Sequence, residues 1–133
     1  MFKEIMAGIA RDRHAFASAF LADFYNTDVL LGDRVSDEVV QSSWNLAARS
    51  SAKAFADCVS AWLTDFRDDL SRIDMPALVL HGASDRILPI ASTGNPLHES
   101  LEGSRYVVVE GGPHGLLWTH AEEVNHALVD FLR

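Results

Sequence analysis

The sequence predicts an α/β chain: a helical first half followed by a βαβα edge of a parallel sheet. Two observations carry this reading. Up to about residue 63, apolar residues recur at helical spacing and turn glycines are scarce. After Pro76 the pattern changes to two short apolar runs bounded by turn residues. Ala77-Leu78-Val79-Leu80 ends at His81-Gly82, and Tyr106-Val107-Val108-Val109 ends at Glu110-Gly111-Gly112-Pro113. Such runs mark strands buried on both faces, as in parallel sheets.

In the first half, Asp12 can cap a helix carrying Phe16, Ala19, Phe20 and Phe24 on one stripe. Ser36 is the N-cap of a second helix, with Asp37 and Glu38 well placed against its dipole and Val39, Val40, Trp44 and Ala47 on its buried face. A third helix is expected from about Ser51 to Leu63, carrying Phe55, Val59 and Trp62 at i, i+4 and i+7. Between the first two, FYNTDVLLGDRVS reads as irregular or turn-rich. In the second half, a short helix over about residues 92–101 joins the two strands and stops at Gly103. The last helix runs from about His120 to Leu132 with Val124, Leu128 and Phe131 as its stripe. The strand-helix-strand order implies parallel strands and a right-handed crossover. Parallel sheets are covered on both faces and have more than two strands, so this half is expected to be the last edge of a larger sheet.

Composition narrows the function classes. The 133 residues fit one small domain, and 48% hydrophobic with 23% charged residues reads as globular. A formal net charge of −8 without any basic stripe argues against nucleic acid and anionic membrane as partners. It suits a soluble cytoplasmic protein handling a small molecule. Cys58 is the single cysteine, which excludes an internal disulfide and fits a reducing compartment. The opening MFKEIMAGIARDR has no signal-peptide pattern. No apolar run approaches the roughly 20 residues of a membrane-spanning helix.

Chemistry in open parallel sheets sits just beyond the carboxyl ends of the strands. HGASDRILP follows the first strand and holds Asp85; EGGPHG follows the second and holds His114. Neighbouring strands open both loops on one rim, where a carboxylate can orient an imidazole that takes a proton from a nucleophile. The order Asp then His matches the last two members of an α/β-hydrolase triad. No G-x-S-x-G nucleophile elbow occurs; Ser84 in GASD is its nearest imitation and adjoins Asp85. Other residues read as structural. His81 is expected to support its loop, Arg86 to face solvent, Cys58 to pack on the buried face of its helix, and Trp44, Trp62, Phe20 and Phe24 to build core or line a pocket under a cap. His120 and His126, six apart, are not at a same-face ligand spacing, so no metal site is expected.

TDFRDDLSRIDMPALVLHGASDRILPI followed by YVVVEGGPHGLLWTHAEEVNHALVDFL resembles the C-terminal part of the cofactor-free bacterial haloperoxidases. These are bromoperoxidase/chloroperoxidase enzymes of the α/β-hydrolase fold, also described as esterases or perhydrolases. The upstream segment DRHAFASAFLADFYNTDVLLGDRVSDEVVQSSWNLAA resembles the family's helical cap. The resemblance implies that Asp85 is the triad acid and His114 the triad base. It implies a cap over residues 1–63 and the C-terminal part of the hydrolase core over 64–133. The family's oxyanion-hole loop and serine elbow have no counterpart in these residues. The expectation is therefore a C-terminal fragment, or one chain of a split serine hydrolase, inactive alone.

In the complete family, an ester or small carboxylic acid acylates the serine. Water then gives hydrolysis and hydrogen peroxide gives a peracid, with no cofactor. A homo-oligomer or the missing N-terminal portion is the implied protein partner. Two alternatives stand beside this: a non-catalytic binding or assembly module derived from an α/β-hydrolase, and another α/β-hydrolase such as a C–C-bond hydrolase or dehalogenase.

Overall fold

The computed structural model describes the backbone of residues 2–133 and the side chains of residues 4–133. Helix α1 (Phe2–Tyr25) is two helical stretches joined at Asp12, whose backbone is extended at φ −158° and ψ 96°. The Asp12 Oδ1 accepts from the backbone N–H groups of His14 and Ala15, both at 3.0 Å, and so caps the second stretch. The innermost line of α1 is Ala17, Leu21 and Tyr25 rather than the phenylalanines. Phe16, Phe20 and Phe24 run beside it as a half-buried ladder with centroids 6.0 and 5.9 Å apart, and Ala19 is exposed. Ala17 and Leu21 are smaller than the phenylalanines and leave room for the helical neighbour, and the phenylalanine rings fill the flank.

That neighbour is α3 (Asp37–Arg49), reached through the single turn α2 (Thr27–Leu30). The turn-rich expectation for this link holds apart from α2 and an isolated bridge between Leu31 and Val35. The Ser36 Oγ accepts from Val39 N–H at 3.3 Å, as its N-cap reading requires. Leu21, Tyr25, Leu30 and Val35 form the buried cluster, with Phe24, Val39, Val40 and Trp44 packed on it. The Trp44 Nε1 donates to the His14 carbonyl at 3.2 Å, which satisfies the indole where it leaves the core.

Helix α4 (Ala52–Ala61) starts at Ser51, whose Oγ accepts from Ala54 N–H. It packs on α1 through Val59, 1% exposed, and half-buried Phe55. Two expectations fail here. Cys58 is exposed, because one residue before Val59 it is turned about 100° away from the packed line. Trp62 lies beyond the end of α4 and is 54% exposed. The following residues include one 3₁₀ stretch (Arg67–Arg72) and leave Leu63, Phe66, Ile73 and Met75 exposed.

Strands β1 (Leu78–Gly82) and β2 (Arg105–Val109) pair in parallel, with Leu78 opposite Arg105 and Gly82 opposite Val109. Among the described residues they form a two-stranded sheet. A 3₁₀ turn (Ile90–Ser92) and α5 (Gly94–Ser100) connect them, with α5 against β1; Gly103 follows in the left-handed region at φ 75°. The last helical region is divided into α6 (Leu116–Thr119) and α7 (Ala121–Phe131), with α7 against β2. Burial on both strand faces is incomplete: Val79 and Val109 are buried, whereas Val108 is 39% exposed. Helix α7 turns Val124 and Ala127 inward and leaves Leu128 41% exposed. No helix among the described residues is long and apolar enough to cross a membrane.

The chain leaves β1 at Gly82 in contact with the loop after β2. A Cβ on Gly82 would lie 2.2 Å from the Gly112 carbonyl oxygen, which is backbone and cannot rotate away. Gly82→Ala is therefore expected to destabilise the fold by about 2–3 kcal/mol, as other overpacked positions do. The midpoint of urea unfolding followed by circular dichroism checks it.

Candidate active site

The two loops beyond the strands are stitched by backbone hydrogen bonds. Ala83 N–H donates to the Val109 carbonyl at 2.9 Å, and Ser84 N–H to the Gly112 carbonyl at 2.9 Å. Gly111 takes φ 70°, a left-handed turn that suits glycine. These bonds bring the residue after Ser84 beside the residue after Pro113.

There, His114 Nδ1 lies 2.8 Å from Asp85 Oδ2. A carboxylate only accepts, so the imidazole Nδ1 donates and Nε2 is left on the far side of the ring as the acceptor of the neutral form. The Asp85 side chain is 3% exposed, and that of His114 is 30% exposed. The other oxygen of Asp85, Oδ1, accepts from the N–H groups of Ile87 and Leu88, both at 2.8 Å. Burial alone would disfavour the charged carboxyl, and these donors offset that cost. Among the described residues no hydrogen bond is made to His114 Nε2.

The helical half meets this pair directly. The Phe24 ring lies edge-on to the His114 imidazole, with centroids 5.0 Å apart at 70°. Gly115 N–H donates to the Phe24 carbonyl at 2.8 Å, and a Cβ at Gly115 would sit 2.6 Å from the Tyr25 ring. The residue after His114 is thus pressed against the end of α1. Asn26, in the left-handed region at φ 49°, donates through Nδ2 to the Ser84 carbonyl at 2.9 Å. Arg86 is exposed, as expected, and also makes an ion pair. Its guanidinium meets Asp28 at 2.7 and 3.1 Å, which holds the Asp28 carboxyl below its ordinary pKa and raises that of Arg86. Sequence reasoning singled out Asp85 and His114 but missed Asn26, Tyr25 and Gly115. Only the glycine at 115, directly after the histidine, hinted at a close approach.

A cleft of ≈ 570 Å³ opens behind the acid loop, lined among others by Asn26, Arg34, Ser84, Asp85 and His120. His114 is not in its lining. Arg34 donates to the Thr119 carbonyl at 3.2 Å and to Glu123 at 2.9 Å. No group of three or more His, Cys, Asp or Glu side chains suited to a metal occurs among the described residues.

Three comparisons place the chain among known proteins. The α/β hydrolase fold family matches residues 1–121. A Synechocystis sp. protein named "Putative non-heme chloroperoxidase" is 53% identical over 100% of this chain and 48% of its own length. A Streptomyces lividans non-heme chloroperoxidase is 35% identical over 100% of this chain and 49% of its own. Among solved structures, the bromoperoxidase from Bacillus anthracis superposes with a TM-score of 0.93 at 38% identity, covering 98% of this chain and 48% of that one. The chain spans about half the length of the curated relatives it matches.

His120 is 4% exposed, and its Nδ1 lies 2.8 Å from Thr119 Oγ1. Burial, with the nearby Arg34 charge, pushes its pKa below the ordinary 6.5. In the unfolded chain His120 binds its proton near about 6.5, and in the folded chain only at lower pH. Stability is therefore expected to fall as pH drops from about 6.5 towards the folded midpoint. His120→Gln should flatten that part of the profile, read from denaturation curves between about pH 5 and 8.

Proposed function

Because the chain belongs to the α/β-hydrolase fold family, we propose that Asp85 and His114 are the acid and base of a Ser-His-Asp triad in a serine hydrolase of haloperoxidase type. The observation that carries this reading is the 2.8 Å bond from His114 Nδ1 to the buried Asp85, which leaves Nε2 free to take a proton. The nucleophile comes from outside these 133 residues, since G-x-S-x-G does not occur in them and Ser84 is tied by its backbone to Gly112. Large apolar side chains exposed between Leu63 and Met75 support the presence of a further portion that covers them.

In this mechanism the serine hydroxyl attacks the carbonyl of an ester or a small carboxylic acid. His114 Nε2 takes the hydroxyl proton as the Oγ–acyl bond forms, and gives it to the departing oxygen as the acyl–oxygen bond breaks. Asp85 stabilises the imidazolium between those steps. Water or hydrogen peroxide then enters; its oxygen bonds the acyl carbon as His114 takes its proton, the acyl–serine bond breaks, and His114 returns the proton to the serine oxygen as a carboxylic acid or a peracid leaves. Residues 1–63 form a cap in this reading, and Phe24, edge-on to His114, is an apolar wall for the acyl group. The names of the matched chloroperoxidases and bromoperoxidase support peroxide as the second acceptor.

The test is hydrolysis of a short-chain aryl ester by this chain alone and after co-expression with the N-terminal half of the Synechocystis relative. No turnover is expected alone, and turnover should return on complementation. In the complemented enzyme, Asp85→Asn should lower kcat by about 10⁴-fold and His114→Ala by at least as much. Substantial turnover by the isolated chain that survives His114→Ala would sink the assignment.

A further inference from the structure

His81 is 15% exposed at its side chain, sits at the end of β1 and has no part in the mechanism above. Its Nε2 lies 2.9 Å from the Leu88 carbonyl oxygen and 3.3 Å from Asp85 Oδ2. A carbonyl oxygen can only accept, so Nε2 carries the proton and donates it to Leu88, with Asp85 Oδ2 close beside that nitrogen. Leu88 is consequently held at both ends: its N–H by Asp85 Oδ1 and its carbonyl by His81. The Thr93 hydroxyl adds a second bond to that carbonyl at 3.1 Å. The imidazole itself is seated against the start of α5. A Cβ on Gly94 would lie 2.9 Å from both Cγ and Nδ1 of His81, so the ring and the helix backbone are already in contact.

From this arrangement we infer that His81 is a positioning residue for the acid: by fixing the Leu88 carbonyl it fixes the Leu88 amide that holds Oδ1 of Asp85, and with it the angle from which Oδ2 bonds His114. Oδ2 bonds His114 and lies 3.3 Å from His81 Nε2, whereas Oδ1 is occupied by the Ile87 and Leu88 amides. Because both oxygens turn together about the Cβ–Cγ bond, the amides that hold Oδ1 also set the direction of Oδ2, and His81 steadies one of those amides through the carbonyl of the same residue. Asp85 is the charged group facing both rings; the Tyr106 hydroxyl, also near Gly94, is the other titratable group beside His81. The inference rests on the Asp85–His114 pairing of the proposed triad and adds to it a third member that never touches substrate.

The ring-nitrogen shifts of ¹⁵N-labelled histidine in the intact chain, recorded at alkaline pH, read the tautomer of each imidazole. Wild-type His114 should carry its proton on Nδ1, and His81 on Nε2. Asp85→Asn should return His114 towards the Nε2–H form that free imidazole side chains favour. His81→Leu should move His114 part of the way in the same direction and speed exchange of its Nδ1 proton up to about tenfold, the equivalent of one lost hydrogen bond. His81→Gln, which keeps a side-chain N–H donor, should restore the wild-type reading. If His81→Leu does not fold, Gly94→Ala displaces the ring while keeping it, and should give the same partial shift. A His114 tautomer unmoved in His81→Leu or Gly94→Ala, while Asp85→Asn does move it, overturns the role of His81 and leaves the pair intact. A His114 tautomer insensitive to Asp85→Asn overturns the pairing itself.

Discussion

The approach of Gly82 to Gly112 is the constraint on which the site depends. No side chain fits between these two backbones. With both residues reduced to glycine, the loops after β1 and β2 can exchange hydrogen bonds as though each strand continued for one more residue. Asp85 and His114 are the first side chains beyond that seam able to face each other. Their contact therefore expresses the parallel register of Gly82 with Val109, carried one turn further. A carboxylate buried to this degree would be costly if unpaired, and the seam delivers its partners at the same time as it buries it.

The helical half contributes by closing the seam from the other side. The end of α1, through Phe24, Tyr25 and Asn26, touches both loops: Gly115 beside the histidine and Ser84 beside the acid. The left-handed residue Asn26 reverses the chain at that point and frees its amide to reach across. Tyr25 is 2% exposed, and its hydroxyl bonds Ser43 of α3 at 2.9 Å, so the contact is anchored in the helical core. Two halves with different internal architectures thus share one boundary, and the boundary runs past the imidazole.

How far the sequence disclosed this depends on the range of each interaction. Caps at Asp12, Ser36 and Ser51, and the strands with their glycine-bounded ends, are local and could be read directly. Asp85 and His114 were legible for the same reason, since each follows its own apolar run by a few residues. Cys58 was misplaced because a short amphipathic pattern leaves the rotation of a helix free by one residue. Partners distant in the chain decide that rotation. The contacts of Phe24 with His114, Asn26 with Ser84 and Arg86 with Asp28 join residues far apart in sequence. No periodicity encodes them. His81 could be recognised as support for its loop, but its hold on the Leu88 carbonyl needed coordinates.

The hydrogen bond from Gly115 to Phe24 has a mechanical consequence. His114 is flanked on one side by Pro113, which restricts backbone rotation, and on the other by a glycine clamped to α1. The imidazole is therefore carried on a lever whose far arm is the helical half. A displacement of α1 that strains this bond is thus felt by the backbone that carries the imidazole. In the proposed triad, the seating of the helical half and the aim of the base would be set by one and the same hydrogen bond.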